Sequence, residues 1–166
     1  MAKLIWGKEL GKYASRLAKL GEKEAEICGK TIYEMANIAA DEVKNKLNGL
    51  HAISDAEGIK RYKKGERAQL TYKGKKGLID SFGISRLQDD GGFRNVKLGF
   101  DGYNTVKTKA YPKGQPNILI ARAVESGTAF MDKQPFMRPA IKAAKSKCLK
   151  KAQETFDKEV KKIMEG

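Results

Sequence analysis

The chain has 166 residues, 40% hydrophobic and 33% charged, and its 34 Lys and Arg against 20 Asp and Glu give a net charge of +14. That length suits a single domain over 1–166 with its own core, and the charge suits attraction to polyanions or a surface that keeps subunits soluble and apart. Two cysteines, Cys28 and Cys148, far apart and each within a helical pattern, give no support to a disulfide framework or a four-ligand zinc site, and one histidine, His51, excludes a multi-histidine metal centre. No apolar run approaches a membrane span and the start, MAKLIWGKEL, lacks the apolar core of a signal peptide, so a reducing cytoplasm and no membrane partner are expected.

The first fifty residues read as two helices. Over 8–20, Leu10, Tyr13, Leu17 and Leu20 recur at helical spacing, and Gly21 reads as a stop. Cys28, Ile32, Met35, Ala39, Val43 and Leu47 then continue the pattern to Asn48-Gly49, a helix end that tolerates a left-handed backbone. From 49 to 77 the pattern vanishes. This segment reads as a long basic loop, disordered in the free subunit or ordered against a partner, with one short strand at 69–72. Its 51–76 part carries eight basic and three acidic residues, net +5, and Lys60, Arg61, Lys63 and Lys64 are its densest cluster.

Three runs follow that predict an antiparallel β-meander of three to four strands: 78–87, 93–100 and 105–111. Asp90-Gly91 and Asp101-Gly102 stand at the joints, a dipeptide suited to hairpin turns. After Pro112 and Pro116, a short helix is expected over 117–125, stopped by Gly127. A long amphipathic helix over 138–164 places Ile141, Ala144, Cys148, Ala152, Phe156, Val160 and Ile163 on one stripe, with packing expected through Ile141, Phe156 and Val160. The fold class is therefore α+β, a meander flanked by N-terminal helices and a long C-terminal helix.

Between the last two helices lies VESGTAFMDKQPFMRPAI, residues 124–141. Ser126-Gly127 lets the chain leave one helix, Pro135 stiffens the next turn, and Pro139 is expected at the first position of the long helix, holding Arg138 outside it. Phe136 reads as a plug into the core, and Glu125 and Arg138 as a pair across the corner. On physical grounds this is a device that sets the angle between two helices.

The corner also resembles a known family. Val124, Glu125, Gly127 and Thr128, followed by Gln134, Pro135, Phe136, Met137, Arg138, Pro139, Ala140 and Ile141, are similar to the signature of the phage tail-component family, the neck, head–tail joining or tail-completion proteins of long-tailed phages and prophages. A second family element, a T-G-x-L-x-x-S segment opening the sheet, is matched by Leu78 and Ser81, without the threonine and with Gly77 one place late; Ser126 stands where the signature has an aromatic residue. The resemblance implies a non-catalytic subunit that assembles as a homo-oligomeric ring at the head–tail junction of the virion, against connector or tail-terminator proteins, after folding in the host cytoplasm. In that role Glu125, Gly127, Pro135, Phe136, Arg138 and Pro139 are architectural.

The residues themselves give little for catalysis or a cofactor. His51 follows a helix end, Asp89-Asp90 precede Gly91-Gly92 and read as turn residues, and the cysteines lie far from the histidine in sequence. The alternative reading is a basic nucleic-acid-binding protein without catalytic activity, because the lysines and arginines of 60–76 are interleaved with Tyr62 and Tyr72, which suit base stacking. The same cluster also suits contact with passing DNA or with a protein neighbour in a virion.

Overall fold

In the computed structural model, which describes residues 7–107 and 110–165, helix α1 (Gly7–Asn48) runs unbroken through the stop expected at Gly21. The two N-terminal helices of the sequence reading are one. A glycine inside a helix costs about 1 kcal/mol relative to alanine, and good helix formers on both sides carry the helix across Gly21. Residues 1–6, read as lacking a signal peptide, lie outside the described residues. At the other end the expected stop is present: the Gly49 N–H bonds back to the carbonyls of Asn45 and Lys46, and Lys75 Nζ donates to the carbonyls of Asn48 and Leu50 at 2.8 Å each. A cation there also complements the helix dipole.

The segment read as a long loop contains helix α2 (Asp55–Lys63) and the start of α3 (Tyr72–Ser81). Both begin at side-chain caps. Ser54 accepts from the Glu57 N–H at 3.1 Å and Thr71 from the Gly74 N–H at 3.2 Å. The strand expected at 69–72 is reduced to bridges, parallel pairings of Ile53 with Thr71 and of Ala68 with Met131.

The sheet region is antiparallel, in two two-stranded ladders. Strand β1 (Phe82–Ile84) pairs with β4 (Leu98–Phe100), and β2 (Gln88–Asp89) with β3 (Arg94–Asn95). Ile84 faces Leu98 and Gln88 faces Asn95, so residues 85–87 stand opposite only 96 and 97. This extra residue is a bulge in one long hairpin. The turn falls at Asp90-Gly91 as expected, with positive φ at Gly91 and Gly92. The rest of the meander differs. The first half of the 78–87 run is the end of α3, because the Thr71 cap starts a helix that carries Leu78 into the core. Of the 105–111 run, residues 105–107, 110 and 111 form no strand, and 108 and 109 lie outside the described residues. Instead Asp101-Gly102 turns the chain toward the next helix, where the Gly102 carbonyl accepts from the Asn117 N–H and the Asp101 carbonyl from Asn117 Nδ2.

Helix α4 (Asn117–Ser126) and helix α5 (Met137–Glu165) complete the chain, which is α+β and mostly helical. The main core joins Val43 and Leu47 of α1, Leu70, Leu78 of α3, Phe82, Ile120 and Val124 of α4, and Phe136 and Ala140. Phe82, Phe100 and Phe136 stack through it, with ring centroids 5.2 and 6.0 Å apart and the second pair edge to face.

Helix α5 packs antiparallel on α1 through Ala144 and Cys148 of the expected stripe, but its large members Ile141 and Phe156 turn out of the seam. Ala140, Ala144, Cys148 and Thr155 are buried, whereas Ile141 and Phe156 are exposed and Val160 is half-buried. Small side chains let the two helices approach closely, and that turns the larger ones outward. Two ion pairs flank the seam, Lys30 with Glu159 and Lys147 with Glu42. Each pair holds its carboxyl below and its ammonium above the ordinary value, mainly through the side-chain hydrogen bond.

Phe136 is only 1% exposed and closes the aromatic stack. Phe136→Ala is expected to lower the unfolding free energy by about 3 to 5 kcal/mol, read by urea denaturation; stability unchanged within error contradicts the plug.

Candidate functional site

The corner between α4 and α5 is built around one carboxylate. Glu125 Oε2 accepts from the backbone N–H groups of Phe136 (2.7 Å) and Met137 (2.8 Å), and Oε1 from that of Arg138 (3.1 Å). The next residue, Pro139, has no N–H to satisfy, and the Ala140 N–H makes the first bond within the helix, to the Phe136 carbonyl. Every donor left free by the start of α5 is thus met by Glu125 or removed by proline. Burial pushes the Glu125 carboxyl up, but the three backbone bonds, assisted by the Arg138 charge, together outweigh it and hold the group below the ordinary glutamate range.

Two details of the sequence reading are corrected by this geometry. Glu125 meets the Arg138 backbone N–H rather than its guanidinium, which points to no carboxylate within ion-pair distance among the described residues. Pro139 is the third residue of α5 rather than the first, and Arg138 lies inside the helix. The cause is the same in both cases: a carboxylate that gathers three consecutive amides starts the helix two residues earlier, and proline is tolerated anywhere in that first turn.

The other signature residues lock the corner to its surroundings. Gly127 ends α4 with φ 72°, and a Cβ there would stand 3.0 Å from that of Lys133. The Gln134 side chain acts as a stretch of backbone: Oε1 accepts from the His51 N–H at 3.0 Å, and Nε2 donates to the His51 carbonyl at 3.2 Å. Pro135 is exposed beside Phe136. Arg67 reaches the loop from the opposite side, donating to the carbonyls of Thr128 and Met131 and pairing with Asp132 at 2.8 Å. The corner is therefore tied to both ends of the α2 segment. Leu78 and Ser81, the second family element, lie at the end of α3 rather than at the opening of a strand, and Gly77 is where α3 touches the Asn104 side chain with no room for a Cβ.

Lys60, Arg61, Lys63 and Lys64 stand together on α2, a helix with no buried residue. Arg61 pairs with Glu57 and Glu66, and Lys64 with Glu66. Lys60 and Lys63 make no ion pair among the described residues. Tyr62 is 83% exposed beside them. Sequence reasoning found the charges and missed the helix. Ser54-Asp55-Ala56-Glu57 has the form of a capping box and was the available signal.

The remaining candidates have local roles. The His51 backbone is held by Gln134. Asp89 accepts from the Gly92 N–H and Asp90 from Asn95 Nδ2, both within the hairpin turn. Cys148 is buried, its thiol pushed up by burial and bonded to the Met35 carbonyl, and Cys28 is unpaired. Among the described residues no cluster of three or more His, Cys, Asp or Glu is placed to hold a metal ion, and no helix is long and apolar enough to cross a membrane. No family model, curated protein or solved structure matches the chain.

Glu125→Gln replaces an all-acceptor group by one that turns an N–H toward backbone N–H groups, at an expected cost of roughly 2 kcal/mol near neutral pH. Because the folded carboxyl titrates below its unfolded value, its contribution is complete above the unfolded pKa of about 4.3 and disappears as pH falls through the depressed folded value. Denaturation curves of the two proteins should therefore converge under strongly acidic conditions. A gap that is independent of pH contradicts the ionised cap.

Proposed function

We propose that the chain is a structural, non-catalytic subunit of a phage virion, a neck or tail-completion protein that helps join the tail to the DNA-filled head. It would act as one member of a homo-oligomeric ring at the head–tail junction, against connector or tail-terminator proteins. The observation that carries the reading is the corner. The residues by which the chain resembles the phage tail-component family have interlocked architectural roles: Glu125 gathers three amides, Gly127 takes the positive φ, Gln134 clamps His51, Phe136 plugs the core and Pro139 removes a donor. A signature made of such residues preserves the angle between two helices, as an assembly subunit requires. Large apolar side chains left outside, including Ile141, Leu149 and Phe156 along α5, give further support, because a ring subunit presents two complementary faces to its neighbours.

Particles made without the protein are expected to show filled heads and separate tails by electron microscopy. Normal joined virions from such a deletion contradict the role.

A second reading, nucleic-acid binding, is favoured by one feature, the surface helix α2, which buries no residue and carries the exposed Tyr62 among its lysines. Contact with passing DNA is a phosphate interaction that ignores sequence and weakens steeply with salt. Neutralising Lys60, Arg61, Lys63 and Lys64 to Gln is expected to lower the salt slope of duplex DNA binding by up to about 4, one for each phosphate that these side chains would otherwise neutralise. An unchanged slope in a filter or anisotropy titration takes α2 out of the DNA path.

A further inference from the structure

The N-terminal arm of α1 has an apolar seam that is left exposed along Leu10, Tyr13 and Leu17 among the described residues. Lys30–Glu159 and Glu42–Lys147 lie twelve residues apart on both helices, so α1 and α5 run antiparallel in step and Glu165, at the end of α5, draws level with Glu24. The last strand pair of the hairpin reaches the same level, where Arg94 pairs with Glu24 at 2.9 Å. Beyond it α1 continues to Gly7, about 25 Å at 1.5 Å per residue. On that arm Leu10, Tyr13, Leu17 and Leu20 are spaced three, four and three residues apart, the seam of a two-helix coiled coil. Leu10, Tyr13 and Leu17 are 56%, 54% and 47% exposed.

The same seam runs on into the interface with α5. Ile27 lies one heptad after Leu20, is buried, and lines with Ile163 a small cleft where α5 ends. What covers this face at Ile27 is a helix, and the seam calls for a helix along the same line. Charge specifies the occupant further. With Leu10, Tyr13, Leu17 and Leu20 at a and d, Arg16 and Lys23 stand at the flanking g position with Lys12 and Lys19 at c beside it, so one edge of the seam is basic over 10–23. The other flank, position e, holds Ala14 and Gly21, and the one acid in that stretch, Glu22, occupies the outermost position f. Lys19, Lys23 and Lys162 stand together at the cleft. Where α5 already covers α1, it answers a lysine with an acid, Glu159 against Lys30. A second copy of the arm laid antiparallel, the direction in which α5 covers α1, would set its basic edge against this one, which is unfavourable.

We infer that the arm over residues 10–23 is a docking surface for an amphipathic helix of a partner protein, apolar along its seam and acidic on its flanks, laid antiparallel to α1 where α5 leaves off. This goes beyond the head–tail proposal and uses none of the corner residues. Its test involves no phage particle, so failure of either leaves the other standing.

The test uses the full chain and two fluorescein-labelled helical peptides of about three heptads, both with leucine at the seam, one flanked by Glu and one by Lys. The Glu-flanked peptide is expected to bind roughly tenfold or more tighter at low ionic strength, and the gap should narrow as salt screens the flanks. Tyr13→Asp and Leu17→Asp, each at an exposed site and checked for native helicity by circular dichroism, should each abolish binding. Equal binding of the two peptides, or full binding by both variants, overturns the inference. So does a concentration-dependent dimer that Leu17→Asp dissolves, which would assign the seam to a second copy. Duplex DNA bound through Lys12, Arg16, Lys19 and Lys23 in place of either peptide overturns it as well.

Discussion

The arrangement of this protein depends on one carboxylate capping a helix that begins twelve residues later. Glu125 lies in the last turn of α4 and, through the amides of Phe136, Met137 and Arg138, starts α5. An ionised group accepting several backbone N–H bonds in a partly dry setting is among the stronger polar contacts available to a fold. It also has direction. The carboxylate fixes where the axis of α5 begins, and Phe136, at the boundary, is carried into contact with Phe100. From that start α5 runs along α1 through Ala140, Ala144 and Cys148, and Leu98 of the hairpin packs against the same seam.

Around this fixed corner the chain leaves its exposed parts free of packing duties. Helix α2 is attached at its ends, through the Gln134 clamp on His51 and the Arg67 contacts with the corner loop, and buries none of its own residues. Over 10–19 the arm of α1 buries none of its own residues. Rigid attachment with a free face suits a molecule whose contacts are completed by neighbours, and the two free faces differ in kind: α2 is basic over a single exposed tyrosine, while the arm is a basic-edged apolar seam.

Much of this was legible in the sequence because it follows from local rules. Gly127, the Asp90-Gly91 turn and the core position of Phe136 follow from backbone freedom or from bulk beside a turn, and α1 ends at Asn48 as expected although Gly49 takes no positive φ. What could not be read depends on partners distant in the chain. The true partner of Glu125 is a set of backbone amides, which no residue type announces, so Arg138 was the natural but mistaken choice. Ala144 and Cys148 of the α5 stripe were legible, but closeness to α1 buries Ala140 and Thr155 in place of their larger neighbours Ile141 and Phe156, and hydrophobic periodicity weights each pair in the opposite order. The density of lysines around 60–64 hid a helix whose Ser54 to Glu57 cap was present all along. Thr105–Val106 has strand-like residues, yet the neighbouring Asn104, buried against α3, holds the chain in a loop there, with its Oδ1 accepting from the Val106 N–H.

The most direct measurement of the central claim is amide hydrogen exchange at Phe136, Met137 and Arg138, followed residue by residue by NMR. These three N–H groups have no backbone acceptor, so their protection reports the Glu125 cap alone. The account predicts exchange as slow as that of Ala140 inside the helix, and selective loss of that protection in Glu125→Gln while the Val43 and Leu47 amides of α1 keep theirs. Fast exchange at all three positions in the unaltered protein, with Ala140 protected, would contradict it.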